Sequence, residues 1–241
     1  MGSALHFVAE TGSTNADLIA RLSAGELLRE GEWLIADRQT AGRGRQGRRW
    51  LDAPGNFMGS TAVRLHPQDP PPASLTFAAS LAVYEAVLPR LPDPALLSLK
   101  WPNDVLLGRE KFCGILLERE GDSAVIGIGV NLVSAPLVPD RRTRTLSELG
   151  PAPARDAFAA DLAASFGREL ARWREFGTGP ILARWQAAAH RKDTRLSVHD
   201  GSGTRIEGTF DGLEADGALR LRLDNGATRA IHAGDVNLET G

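Results

Sequence analysis

Beyond Lys192 the chain is punctuated by Asp200-Gly201, Asp211-Gly212, Asp216-Gly217 and Asn225-Gly226. Pairs of this kind favour tight turns between antiparallel strands. Between them Leu219, Leu221 and Leu223 alternate with polar residues, the two-residue period of a half-buried strand. A tail that turns this often has no room for long helices. It reads as a separate small β-barrel over 192–241, distinct from a larger domain over 1–191. The tail carries six Lys/Arg against nine Asp/Glu, a net of −3, which leaves +1 for the other 191 residues. An acidic barrel is a poor grip for phosphate backbones.

The larger region mixes helices and strands. "LHFVAE" reads as a strand, and Ser13 or Thr14 can cap a helix through "NADLIARLSAG" that Gly25 stops. "EWLIAD" (32–37) and "FMGSTAVRL" (57–65) read as strands, and an apolar helix runs from about Ser74 to Leu88. "LLSLKW" is a strand broken at Pro102, leaving Asn103 and Asp104 at a sheet rim. "KFCGILLERE" and "SAVIGIGVNLV" alternate as a hairpin across Gly121-Asp122, and helices follow over 155–176 and 179–190.

Several function classes are disfavoured at once. Lys and Arg number 28 against 30 Asp and Glu, so no general basic coat advertises nucleic-acid binding. The lone Cys113 excludes an internal disulfide, and the five histidines show no metal-ligand spacing. No apolar run approaches the roughly 20 residues that span a bilayer, and the N-terminus lacks the basic-then-apolar order of a signal peptide. A cytoplasmic protein without a membrane partner is expected.

Against that balance, "TAGRGRQGRRW" (40–50) sets four arginines among three glycines. Gly42, Gly44 and Gly47 match the dinucleotide fingerprint by letter, but Pro54-Gly55 follows too soon for the helix that would hold a pyrophosphate. A phosphate-binding P-loop fails too, because Gly47 precedes Arg-Arg where Lys-Ser/Thr is needed. A solvated basic loop is the plainer alternative. Because the loop leaves one apolar strand and returns to another, a tethered lid that closes over an anionic ligand fits better. Arginine supplies forks for carboxylate or phosphate, and glycine lets the backbone approach closely. Trp50 could stack a purine or simply join the core. Lys100 ends a strand, and Lys111 stands just before an apolar stretch that contains Gly114. Cys113 reads as core.

Taken together, "STN", "QTAGRGRQGRRW", "KWPND", "KFCGILLE" and "GIGVNL" stand in an order and spacing that resemble the biotin protein ligases. The pattern "GTFDGLEADGALRLRLDNGATRAIHAGDV" resembles their small terminal barrel. The resemblance covers essentially the whole chain. It implies an α+β catalytic domain with a mixed sheet, followed by the barrel. It also implies a two-step reaction: biotin and MgATP give biotinyl-5'-AMP, and the biotinyl group then passes to a lysine on the biotin carrier domain of a carboxylase. Position by position, Ser13, Thr14, Asn15, Gln39, Arg43, Gly44, Arg45 and Lys100 match the biotin set. Arg45, Arg48, Trp50, Lys111 and Asn131 match the ATP and adenylate set, and Asp104 would orient Lys100 or the incoming lysine. Of these, Arg45, Lys100, Lys111 and Asp104 carry the catalytic expectation. Residues 134–145 fall where the family has an adenine-covering loop. Magnesium is expected with ATP and no protein metal site.

Some members of that family carry an N-terminal DNA-binding domain. Here the catalytic motifs begin within about ten residues of Met1, so no specific DNA binding is expected. The resemblance leaves monomer and homodimer open. A lipoate ligase of the same superfamily, and a nucleic-acid-binding module using the arginine loop, are the competing readings.

Overall fold

The computed structural model describes residues 4–51, 53–136, 142–200 and 204–238. Strand β1 (Ala4–Thr11) leads into helix α1 (Thr14–Ser23), which returns the chain to β2 (Glu32–Gln39), parallel to β1. Ser13 caps α1 by accepting the Ala16 N–H, and Gly25, at φ +83°, lets the chain leave the helix. β3 (Phe57–Arg64) turns back antiparallel to β2 and is buried along nearly its whole length. After helix α2 (Leu75–Val87) come β4 (Leu97–Lys100), β5 (Asp104–Leu107), β6 (Glu110–Glu120) and β7 (Ser123–Val130). They form one mixed sheet in the order β1-β2-β3-β7-β6-β5-β4.

The segment after Pro102 departs from expectation. Asn103 lies in the turn, but Asp104 opens β5, paired with Lys100 across the hairpin and almost fully buried. The strand expected to end at the proline therefore folds straight back on itself.

One face of the sheet carries the core. Helices α2, α3 (Arg155–Phe176) and α4 (Thr178–Ala188) pack together over it, and Trp33, Phe57, Phe158 and Phe166 meet edge to face beneath them. α2 is apolar nearly all round because it lies between the sheet and the two later helices; Glu85 is the exception, ion-paired with Arg172 of α3 and Arg184 of α4. The buried indoles of Trp173 and Trp185 donate to the Ser74 and Ser80 hydroxyls, which removes the penalty of burying an N–H.

The tail forms β8 (Arg195–Asp200), β9 (Arg205–Leu213), β10 (Leu219–Arg222), β11 (Thr228–Ile231) and β12 (Gly234–Leu238). Their order is β11-β10-β9-β8-β12, all antiparallel. Among the described residues β11 and β12 remain the two edges, so the unit is an open sheet and not the closed barrel expected. Asp216-Gly217 and Asn225-Gly226 do turn the chain. Asp211-Gly212 does not: it lies inside β9, where Gly212 adopts φ +105° opposite a register shift. Gly201, of the fourth pair, lies outside the described residues. The tail docks on the first sheet through buried contacts, with the Trp101 indole donating to the Gly217 carbonyl at 3.0 Å.

Candidate active site

The face opposite the core is made accessible by missing side chains. On β7, Ile126 and Ile128 point into the core, so Gly127 and Gly129 present bare backbone on the other side. Gly114 of β6 stands directly beside Gly129. A Cβ on Gly127 would lie 2.3 Å from Asn15 Oδ1, and one on Gly129 would lie 2.3 Å from the Trp50 ring. Only glycine lets α1 and the arginine loop approach this floor. Above it lies a cavity of about 610 Å³, bordered by α1, the arginine loop, strands β3 and β5–β7, and the tail.

At the α1 end the lining is neutral and hydrogen-bonded internally. Ser13, Thr14, Asn15 and Gln39 are all buried. Gln39 Oε1 accepts from the Thr14 N–H at 2.8 Å, and the Thr14 and Ser60 hydroxyls lie 2.6 Å apart. Ser60 Oγ donates to Asn15 Oδ1 at 2.6 Å, and Asn15 Nδ2 donates to Glu118 at 2.8 Å.

The other end is cationic. Asp104 receives Lys111 at 2.6 Å on one oxygen and Lys100 at 3.2 Å on the other. Lys100 also donates to the Val236 carbonyl of β12 at 2.9 Å. Two largely covered ammonium groups converge on one carboxylate, so positive groups outnumber negative ones here, an imbalance that a ligand anion would relieve. Arg45 stands at the same end, donating to Asn103 Oδ1 at 3.0 Å. Burial holds its guanidinium below the ordinary value, opposed by the Asp104 charge. The Asn131 side chain is buried at the cavity wall with Oδ1 unpartnered, an amide left over for a ligand.

The arginine loop is folded back on itself. Trp50 N–H donates to the Gly42 carbonyl, Gly44 N–H to the Arg48 carbonyl, and residues 45–47 make one tight turn with Gln46 at φ +56°. A Cβ on Gly42 would lie 2.6 Å from the Trp50 carbonyl oxygen. Glycine was expected there for close approach to a ligand; at Gly42 it serves the approach of the loop's own two arms. Trp50 lies on the Gly114/Gly129 floor, with Lys111 Nζ 5.9 Å from its ring centre. Arg48 is ion-paired with Asp235 of β12.

All the residues expected from the sequence thus border one cavity: Ser13, Thr14, Asn15, Gln39, Arg43, Gly44, Arg45, Arg48, Trp50, Asp104, Lys111 and Asn131 line it, and Lys100 reaches Asp104 at its edge. Of the expected covering segment 134–145, residues 137–141 lie outside those described. Pro136 and Thr143 line the cavity. Sequence reasoning placed Asn103 at the sheet rim without a role, and missed Ser60, Glu118 and the tail's Asp235. Glu118 closes the quoted "KFCGILLE" run, which was the available signal; Asp235 had none. Cys113 is buried in β6, as expected, and burial pushes its thiol far up.

Comparison with known proteins falls along the same lines. A model of the biotin/lipoate A/B protein ligase family matches residues 13–131, and one of the biotin protein ligase C-terminal domain matches 199–238. A biotin--[acetyl-CoA-carboxylase] ligase of Paracoccus denitrificans is 38% identical over 89% of this chain and 92% of its own. One of Mycobacterium tuberculosis is 37% identical over 96% and 88%. The solved structure of a biotin protein ligase from Aquifex aeolicus in complex with biotin and ATP superposes with a TM-score of 0.85 at 26% identity, covering 99% of each chain. The chain belongs to the biotin protein ligase family.

Proposed function

We propose that this protein is a biotin–[acetyl-CoA-carboxylase] ligase that makes biotinyl-5'-AMP and transfers the biotinyl group to a lysine of a carboxylase carrier domain. The observation that carries the reading is the two-ended cavity: amide and hydroxyl groups at one end, excess positive charge at the other. A uncharged ureido ring suits the first, and a carboxylate meeting a triphosphate needs the second.

In the first step a biotin carboxylate oxygen bonds to the α-phosphorus of ATP, and the α–β phosphoanhydride bond breaks to release pyrophosphate. Two anions must meet, so cations placed beforehand lower the barrier. Lys111, Arg45 and Arg48 are the phosphate-facing candidates, and Lys100 would hold the acyl oxygen. Asp104 keeps both lysines in place; its contact with Lys100 favours orientation of that residue over the incoming amine. Ser13, Thr14, Asn15, Gln39, Arg43 and Gly44 would hold biotin, while Trp50 and Asn131 would meet the adenine. Holding two reactants in line contributes on the order of 7–11 kcal/mol over free solution. In the second step the carrier lysine's amine bonds to the acyl carbon, AMP leaves, and the amine loses a proton.

Among the described residues no three His, Cys, Asp or Glu side chains gather to hold a metal. The two carboxylates nearest the cationic end, Asp104 and Asp235, are engaged by lysine and arginine. These residues do not fit a resident metal, and magnesium belongs to this reading as part of the MgATP substrate. No helix among the described residues is long and apolar enough to cross a membrane.

Biotin-dependent exchange of pyrophosphate into ATP, followed by transfer to a purified carrier domain, tests the proposal. Exchange with lipoate in place of biotin would reassign the substrate. Salt-sensitive nucleic-acid binding without any exchange would overturn it.

A further inference from the structure

Glu118 lies four residues beyond Gly114 on the cavity side of β6, and its two carboxylate oxygens face different elements. Oε2 accepts from Asn15 Nδ2 of α1 at 2.8 Å, while Oε1 faces Arg43 Nη1 of the arginine loop at 3.6 Å. We propose that Glu118 is a positioning residue for biotin, setting the direction of the hydrogen bonds at the neutral end of the cavity and tying Arg43 to it. The proposal rests on the ligase reading above and extends it.

The reasoning follows from what each group can donate. An ionised carboxylate only accepts, so it can receive only the NH₂ side of the Asn15 amide. Asn15 Oδ1 must then face Ser60, whose single hydroxyl proton it takes at 2.6 Å. With that proton used, the 2.6 Å contact between Ser60 and Thr14 can be made only by the Thr14 proton, whose other acceptor within reach is Gln39 Oε1 at 3.2 Å, also inside the protein. Thr14 Oγ1 has then spent its one proton inside the protein and turns acceptor lone pairs towards the cavity. An end of the cavity polarised in this way selects a ligand with N–H donors, which a ureido ring has and a dithiolane ring lacks. All three relay residues are buried, so an amide or hydroxyl turned the wrong way would leave a group unpaired in a site poor in water. The second carboxylate oxygen adds a link to the loop, so the ligand-reading end and the flap share one anchor.

Steady-state pyrophosphate exchange with wild-type protein, Glu118→Ala and Glu118→Gln tests this, with unfolding midpoints measured alongside. Glu118→Ala is expected to raise the KM for biotin roughly tenfold to hundredfold, with the KM for ATP and the unfolding midpoint little changed. Glu118→Gln keeps the shape but can donate as well as accept, so it should raise the biotin KM by less, in the same direction. It also serves as the readable variant if the alanine protein is unstable. An unchanged biotin KM in Glu118→Gln and any folded Glu118→Ala, or equal increases for biotin and ATP, would overturn the positioning role. Absence of biotin-dependent exchange in the wild-type protein would instead defeat the ligase reading beneath it.

Discussion

The α1 end and the β4–β6 end of the cavity differ in what completes them. Thr14, Ser60, Asn15, Gln39 and Glu118 form a chain of hydrogen bonds already closed within the protein. Lys100 and Lys111 instead divide one carboxylate, with Arg45 desolvated beside them and the Asn131 side-chain Oδ1 unpartnered. A preassembled end discriminates by shape and hydrogen-bond direction, at little cost of rearrangement. An undercompensated end gains most from anions, and its charges act where electrostatic attraction is strongest. On the proposed function, recognition and chemistry are separated along one groove.

The largest test of that division falls on the cationic end. Lys111→Ala is expected to lower adenylate formation by at least about 100-fold, while the unfolding midpoint shifts little, since Asp104 keeps Lys100. Single-turnover synthesis beside thermal melts would show it, and a loss below tenfold would break the comparison.

The neutral end is probed by Gly127→Ala, whose Cβ would sit 2.3 Å from Asn15 Oδ1. Displacing that amide should weaken biotin on the order of 10-fold and leave ATP binding intact, as titration calorimetry with each ligand would reveal. Equal losses for both would mean that the ends are not independent.

A smaller effect is expected where the tail grips the loop. Asp235→Asn weakens one contact of Arg48, which also donates to Gln46 and whose side chain is 43% exposed, so the change should be only a few-fold. Faster escape of biotinyl-5'-AMP, followed by quench-flow, would place the tail in loop closure; an unchanged lifetime would confine it to docking.

The smallest concerns the seam behind Lys100. His190 packs edge-on to Phe210 of β9. Burial, opposed by the Arg191 backbone and joined by the nearby Lys100 charge, lowers its pKa from 6.5 to about 4. The folded state therefore resists protonation that the unfolded chain accepts, so stability is full above about pH 6.5 and falls as pH drops towards 4. Denaturation midpoints across that window should decline in the wild type and flatten in His190→Leu.

Much of this was legible beforehand because strands and helices follow local rules. The alternation in "SAVIGIGV", the Ser13 cap and the Gly121-Asp122 hairpin all depend on residues near in sequence. The same rules failed where distance mattered. Asp211-Gly212 has the composition of a turn, yet the bulge in β9 absorbs it, and Asp211 instead receives Arg220 and Arg222 across the strands. Asp104 looked like a rim residue because nothing local announces that β5 starts there.

By itself the sequence determined which groups are available: four arginines beside glycines, two lysines, an asparagine after "GIGV", and a tail of short strands. Tertiary structure decided how those groups are paired. Glu118 and Asp235 meet Arg43 and Arg48 only because β6 and β12 are brought to the same loop, and among the described residues the tail is an open sheet because its edge strands are not brought together. Charge and hydrogen-bond capacity are properties of single residues, but their compensation depends on distance, and distance exists only in the folded chain.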